Sequence, residues 1–473
     1  MRCIGTALLA ATALSACSLS PHYERPAMRT PAADYKEHGD WQVANPSDTV
    51  PRGPWWTQFR DADLDDLEEQ VTASNQSLKA SLARLEQARA VTREARASWF
   101  PTVTANVSAT RARSSENVPS YVAGRTATGN LYTAGADLSY ELDLFGRVRN
   151  TVANARYTEQ ATAGDVAALD LSVHAELAND YFMLRGLDMQ QRLLDETVAD
   201  YARALQLTTN LYRGGAAPIS DVHQAEAQLQ TARTEAEDTR LHRAQAEHAI
   251  AVLVGREASG FSIPVRPGSN LAQLPPIDPG LPSQLLERRP DVAAAERRVA
   301  AANATIGVAR AAYFPTFNLL ASAGLESTQS SNWMQAPSQF WSIGPQALLT
   351  LFDAGRHRAQ SAQAHAAYEE QVANYRNTVL TAYQDVEDNL AALRQLQLES
   401  VSEAAAVKAT QGAADQANLR YKGGIVTYLE VVTTENAALQ AQLQAVDIEV
   451  RRANATVLLI KALGGHWQPP ADS

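Results

Sequence analysis

The sequence predicts a mainly α-helical chain that also carries β-structure of the membrane type, and three observations predict it. From Gly355 to Gly424 a seam runs through Val372, Val379, Val386, Leu393, Val407, Ala414 and Tyr421, with Ser400 its polar member, and no proline or glycine falls between Arg356 and Gln411. Seven-residue spacing sustained over that distance marks a long helix packed lengthwise against others. The seam recurs 209 residues earlier, laying Leu177 on Val386, Leu184 on Leu393, Gln191 on Ser400, Val198 on Val407, Leu205 on Ala414 and Tyr212 on Tyr421. Ahead of each copy the apolar period drops to two, which is that of a strand with one apolar and one polar face.

Taken in order, the chain opens with Met1-Arg2-Cys3, an apolar stretch and Leu14-Ser15-Ala16-Cys17, the layout of a bacterial lipoprotein signal over residues 1–16. No cysteine follows Cys17. The mature chain is therefore expected to begin there, with covalent diacylglycerol on the sulfur and an N-acyl lipid, because several acyl chains together give stable anchoring where one is marginal. Ser18 after the cysteine, in place of Asp, resembles the outer-membrane sorting signal of enteric bacteria. With Cys3 in the signal and Cys17 in the anchor, no intrachain disulfide is expected. Residues 17–60, with Pro21, Pro26, Pro31, Pro46, Pro51 and Pro54, read as an extended arm docked by Trp55, Trp56 and Phe59.

The first repeat spans residues 61–265. A short helix from Leu64 to Val71 leads to a longer one from Ser77 to Ser98, with Leu78, Leu82, Leu85 and Ala88 on one stripe, and Pro101 ends it. Strands follow over residues 101–113 and 129–145, where Val103, Ala105, Val107 and Ala109 alternate with Thr104, Asn106 and Ser108, and Tyr132, Ala134, Ala136 and Leu138 alternate with Thr133, Gly135 and Asp137. A polar loop around Pro119 to Gly129 separates them. A long helix over 147–212, a stop at Gly214-Gly215 and a return helix over 218–254 complete the copy. Residues 266–282 carry five prolines, Pro267, Pro275, Pro276, Pro279 and Pro282, and read as an irregular connection. The second repeat, 283–467, repeats the plan with strands over 315–328 and 339–352, a long helix over 356–421 and a return helix over 427–463, before a tail at 468–473.

Strands of this length, apolar on one face and acidic and polar on the other, fit tilted membrane crossings with lipid outside and water inside. A membrane sheet tolerates no open edge, and four strands close nothing. Two, three or four copies would close it with 8, 12 or 16 strands, and a water-lined lumen requires three or more because an eight-stranded barrel is filled by its own side chains.

The stretch Leu281-Pro282-Ser283-Gln284-Leu285-Leu286-Glu287-Arg288-Arg289-Pro290-Asp291-Val292, with Ala311-Ala312-Tyr313-Phe314-Pro315 later, resembles the signature of outer-membrane efflux channels. Trp55-Trp56 with Phe59, Asp61 and Leu64, and Pro21-His22-Tyr23-Glu24-Arg25-Pro26, are similar to motifs of the lipoprotein branch of that family, the outer membrane factors of tripartite resistance-nodulation-division multidrug efflux systems. The resemblance covers essentially the whole mature chain. It implies long coiled-coil-like helical hairpins in a periplasmic α-barrel, plus four β-strands per chain contributing to a shared trimeric outer-membrane β-barrel. It further implies a homotrimer, lipid-anchored in the outer membrane and extending into the periplasm, that docks to a periplasmic adaptor (membrane fusion) protein and an inner-membrane resistance-nodulation-division transporter. The expected role is passive exit of drugs and other toxic small molecules.

The resemblance also points to residues. Acidic positions just beyond the hairpin tips line the closed periplasmic aperture of the family, and Asp221 and Glu430 match them; Thr427-x-x-Glu430 is equally a capping box, and Asp221 in a first turn suits the helix dipole. A family acid three residues after Glu430 is replaced here by Thr433, which implies a less charged ring. Asp415 and Arg420, near the same tip, are candidates for links between protomers or for ordinary surface pairs. Gly214, Gly215, Gly423 and Gly424 are helix stops that require positive φ, and the family adds adaptor contact. Asp137, Glu141, Asp143 and Glu326 are candidate lumen carboxylates.

A formal charge of −11 speaks against nucleic acid as a partner. The sequence holds no His-Glu-x-x-His, no Gly-x-Ser-x-Gly and no phosphate loop, so no enzyme, metal site or cofactor beyond the lipid is expected. The competing functions are an exit duct for type I protein secretion, a periplasmic adaptor and a structural lipoprotein. An adaptor would have one hairpin and no membrane-length strands.

Overall fold

The structure is a computed structural model that describes residues 20–27, 36, 54–113, 115, 117, 128–266, 271, 274–275 and 289–465. The signal, Cys17, most of the arm, the loop beyond Pro119, residues 281–288 of the signature and the tail lie outside the described residues. The helices are α1 (Ala62–Ser74), α2 (Gln76–Ala97), α3 (Arg147–Arg213), α4 (Ile219–Leu253), α5 (Pro290–Ala311), α6 (Arg356–Lys422) and α7 (Tyr428–Ala462). The strands are β1 (Thr102–Arg113), β2 (Thr128–Leu142), β3 (Thr316–Ser327) and β4 (Gln339–Leu348). The order helix, two strands, long helix, return helix thus occurs twice. Helix α5, the counterpart of α2, falls between the elements that the seam and the alternation mark; Pro290 at its first position and Asp291 in its first turn are the start signal it carries.

The chain forms two compact units. One comprises residues 1–27, 84–163 and 294–375. It contains an antiparallel sheet of order β1-β2-β3-β4, so the two repeats join at the β2–β3 pairing and β1 and β4 are the outer strands. The register keeps the faces separate across all four strands. Val103, Leu138, Ala321 and Ile343 stand opposite one another, as do Ala105, Ala136, Ala323 and Trp341, whereas Thr104, Asp137, Ser322 and Ser342 form a row on the other face. A one-residue slip would exchange the faces entirely.

β2 ends at Leu142 and β4 at Leu348, three and four residues before the positions the alternation marks. Their last partners are Phe317 and Thr316, and Pro315, which has no N–H, lies just before, so Leu349 and Leu351 have no partner on β3. The chain after each strand pair instead caps a helix. Asp143 accepts from the backbone N–H of Val148 at 3.0 Å and Arg149 at 2.8 Å, and Asp353 accepts from Gly355 at 2.9 Å and His357 at 2.8 Å. Glu141 pairs with Arg147. Two of the expected lumen carboxylates, Asp143 and Glu141, therefore serve the strand-to-helix corner.

In the same unit the short described piece of the arm is pinned to α5. Tyr23 donates to Glu296 Oε1 at 2.6 Å, and Asn303 Nδ2 donates to the Pro21 carbonyl at 3.0 Å.

The second unit comprises residues 28–83, 164–293 and 376–473. Trp55, Trp56 and Phe59, in a single 3-10 turn, are buried with Leu64, Val71, Leu177, Tyr181, Phe182 and Ile250. Trp56 stacks on His174 with ring centres 4.5 Å apart, and His174 Nδ1 meets Glu68 at 2.5 Å. A polar clamp lies beside this core: Tyr181 donates to Asp61 at 2.7 Å, Arg185 reaches Asp63 at 2.8 Å, and Arg243 reaches Asp188 at 2.6 Å. Burial alone would raise Asp61, but hydrogen bonds from Tyr181 and Arg266 hold its carboxyl below the usual range. The signature arginine Arg289 does comparable work, bonding Asp291 at 2.8 Å and Asp385 at 2.9 Å.

Helices α3 and α6 each have 67 residues, a length of about 100 Å at the α-helical rise. Where α3 approaches α7 the contact needs glycine, because a β-carbon on Gly186 would meet Val450 Cγ2 at 2.2 Å. Among the described residues no helix is long and apolar enough to cross a membrane.

Candidate functional site

The candidate site is the pair of turns at the hairpin tips, in the second unit. Helix α3 ends as the Ala216 N–H returns to the Leu211 carbonyl at 2.8 Å and the Gly215 N–H to Tyr212 at 2.9 Å. Helix α6 ends identically, with Ile425 N–H on Arg420 at 2.9 Å and Gly424 N–H on Tyr421 at 2.9 Å. Both are Schellman stops, in which the residue just past the helix takes positive φ. That residue is Gly215 (φ 76°) in one tip and Gly424 (φ 72°) in the other. Gly214 and Gly423 are not in that conformation, and a β-carbon there would make ordinary contacts of 3.5 Å. The conformational requirement covers half of the four expected glycines.

The two tips differ in charge. Arg420 donates to Glu430 Oε1 at 2.7 Å across the second tip, with both side chains about half exposed. The expected capping box is absent on both sides: Thr427 is the N-cap but its hydroxyl makes no capping hydrogen bond, and the Glu430 carboxylate pairs with Arg420. Asp415 does not join Arg420; it accepts from Gln411 at 3.1 Å, one turn back on α6. In the first tip Asp221 accepts a long bond from Ser220, 3.4 Å, and the position matching Arg420 is Leu211.

Behind the tips the two hairpins meet through a polar cluster that the heptad pattern does not reveal. Tyr421 and Tyr428 pack with ring centres 5.3 Å apart, and buried Tyr428 donates to Gln228 at 3.5 Å. Tyr201 donates to Asn436 at 3.2 Å, and Asn418 donates to Glu435 at 2.7 Å. Burial pushes the Glu435 carboxyl up, and burial with the nearby Glu435 and Glu235 charges pushes the Tyr201 hydroxyl up to about 12. Ala225, Ala417 and Val431 seal the cluster's apolar side. Glu435 borders two grooves, of about 470 and about 870 Å³, the larger lined also by Asp200, Asp415 and Lys422. The signal in the sequence was divergence between the copies: Tyr428 stands where the first copy has Ile219, and Asn436 where it has Ala227.

Among the described residues no group of His, Cys, Asp and Glu is arranged to hold a metal ion. The arrangement is a set of packed helices with two stopped, unequally charged turns and suits mechanical contact and closure.

Known proteins share this arrangement. The sequence profile of the family described as outer membrane efflux protein matches residues 67–256 and 281–465. The outer membrane protein OprJ of Pseudomonas aeruginosa is 34% identical over 98% of this chain and 95% of its own. The cation efflux system protein CusC of Escherichia coli is 28% identical over 97% of each. The crystal structure of the CmeC outer membrane channel of Campylobacter jejuni superposes with a TM-score of 0.90 at 25% identity, covering 96% of each chain. A profile that spans both repeats, and a relative that matches from the arm to the last helix, leave one assignment: this chain belongs to the outer membrane efflux protein family.

Proposed function

We propose that three copies of this chain close a twelve-stranded barrel in the outer membrane and form a passive exit duct for drugs and other toxic small molecules. The observation that carries this reading is the sheet, in which apolar rows such as Val103, Leu138, Ala321 and Ile343 alternate with polar rows such as Thr104, Asp137, Ser322 and Ser342, with β1 and β4 at its edges. Bilayer burial of such edges is prohibitive unless β4 of one copy pairs with β1 of the next. The strands alternate in direction, so this pairing is antiparallel throughout, and three copies are the fewest that leave an aqueous bore. Energy and substrate choice then belong to an inner-membrane transporter of the resistance-nodulation-division class, reached through a periplasmic adaptor at the tips Gly214-Gly215 and Gly423-Gly424. Asp221, Asp415, Arg420 and Glu430 are proposed to set the aperture, and acylated Cys17 to add a second membrane anchor. No step of this function requires catalysis.

The test is accumulation of a fluorescent cationic dye in cells lacking the protein, with and without its restoration, while the secreted proteome is recorded from the same cultures. Higher dye retention that restoration reverses, with secretion unchanged, is expected. Unchanged dye with missing secreted polypeptides would move the assignment to protein export.

A further inference from the structure

On the polar face of the sheet an aromatic side chain stands among polar rows. Phe340, the second residue of β4, stands in a row with Gly324, Gly135 and Asn106. To one side lies the row of Thr104, Asp137, Ser322 and Ser342, and to the other the row of Ser108, Thr133 and Glu326. The ring does not project from the wall. A β-carbon on Gly324 would meet Phe340 Cε1 at 3.0 Å, and one on Gly135, a strand further on, would meet Phe340 Cζ at 3.4 Å. The ring is thus laid flat across β3 and β2, in a bed that two glycines on adjacent strands provide. Glycine inside a strand otherwise weakens it and commonly marks such a close approach.

A flat ring has one face on the glycines and the other toward the bore. That outer face carries the negative pole of the ring quadrupole, which attracts cations. Asp137 and Glu326 each lie two residues along a strand from the glycine bed, about 7 Å at the strand rise. Both are exposed, and Asp137 is held in place by Asn106 Nδ2 at 2.7 Å. An apolar surface between two carboxylates is complementary to a flat apolar body that carries a positive charge.

We infer that Phe340, flanked by Asp137 and Glu326, is a contact station on the inner wall for organic cations with a planar aromatic body. The inference rests on reading the polar face as the wall of an efflux duct, and it names a class of compound that the wall retains briefly on its way out.

The experiment is current block in planar bilayers containing the full-length protein, with potassium chloride as carrier and ethidium or tetramethylammonium added to both chambers. Ethidium should block at lower concentration than tetramethylammonium. Phe340→Leu, which still covers the glycines, should raise the ethidium concentration for half block by about two- to tenfold, the range expected of a cation over an aromatic face, and raise that for tetramethylammonium by less, since it has no planar body to lie on the ring. Phe340→Trp should lower it, and Asp137→Asn with Glu326→Gln should weaken block by both cations. Ethidium block that is the same in wild type, Phe340→Leu and Phe340→Trp would overturn the inference, as would an equal loss for both cations in Phe340→Leu. If Phe340→Leu forms no channel, Phe340→Trp decides alone, since it keeps a ring on the bed. Absence of any wild-type current would remove the duct and the inference together, which separates that failure from failure of the ring.

Discussion

His174 is a titratable residue inside the core of the second unit. Its side chain is 3% exposed, which opposes the charged form, yet hydrogen bonds donated to Asp170 and Glu68, with the charges of both carboxylates, outweigh burial and push the imidazole up to about 9. The other neighbours are uncharged: Trp56 covers one ring face and Thr72 lies 3.4 Å from Nε2. Because the folded value exceeds the ordinary one of about 6.5, protonated His174 favours the fold fully below that pH. The contribution is lost as pH rises through about 9. Melting of the purified protein should therefore fall between about pH 7 and 9.5, and fall less in His174→Gln; parallel curves for the two proteins would show that the pair carries no pH dependence. Arg420 presents the opposite case. A half-exposed pair with Glu430 contributes under about 1 kcal/mol, so Arg420→Ala with Glu430→Ala should leave melting almost unchanged. If the pair restrains the aperture, the same double variant should nevertheless raise conductance in bilayers, and equal conductance would identify an ordinary surface pair.

At the scale of the element, the tip turns separate two kinds of glycine that look alike in the sequence. Gly424→Ala forces a β-carbon into the left-handed region and should cost about 1–2 kcal/mol, whereas Gly423→Ala should be neutral or slightly stabilising. Denaturant melts of the two variants check this, and equal effects would contradict the assigned stop. The long helices were legible because a seven-residue seam survives in both copies, and the strands because alternation is strict from Val103 to Ala109 and from Tyr132 to Leu142. What alternation could not give was the strand end. Pairing partners decide that, and Leu349 to Leu351 continue the pattern where β3 has already ended. The polar cluster behind the tips was hidden for a related reason: Tyr201, Gln228, Asn418 and Glu435 lie on four helices, and only packing of the two hairpins brings them together.

At the scale of the whole molecule, the face assignment makes a prediction that separates lipid from water. Ile343 and Ser342 are neighbours on β4 that point to opposite sides. Ile343→Arg should cost up to about 2–4 kcal/mol near the bilayer midplane and reduce the folded, heat-modifiable trimer seen by electrophoresis, while Ser342→Arg should assemble normally. The reverse result would turn the sheet inside out.

The second anchor poses a question of the same scale. Cys17 lies outside the described residues, but Ser20 to Ala27 do not, and Tyr23 and Pro21 are already held on α5 by Glu296 and Asn303. Ser20 lies three positions after Cys17, a reach of about 10 Å when extended. Acyl chains on Cys17, as proposed, would be tethered within that reach of a point fixed by the protein itself, and the proposed barrel, with its apolar outer face, would hold that point near the membrane without them. Removing the lipid should cost little once the barrel has inserted. Cys17→Ser is expected to abolish incorporation of radiolabelled palmitate while the protein still fractionates with outer membranes and resists carbonate extraction. If the variant became soluble instead, the lipid would be the sole anchor, and the four strands would have to be reassigned to a sheet that never enters the bilayer.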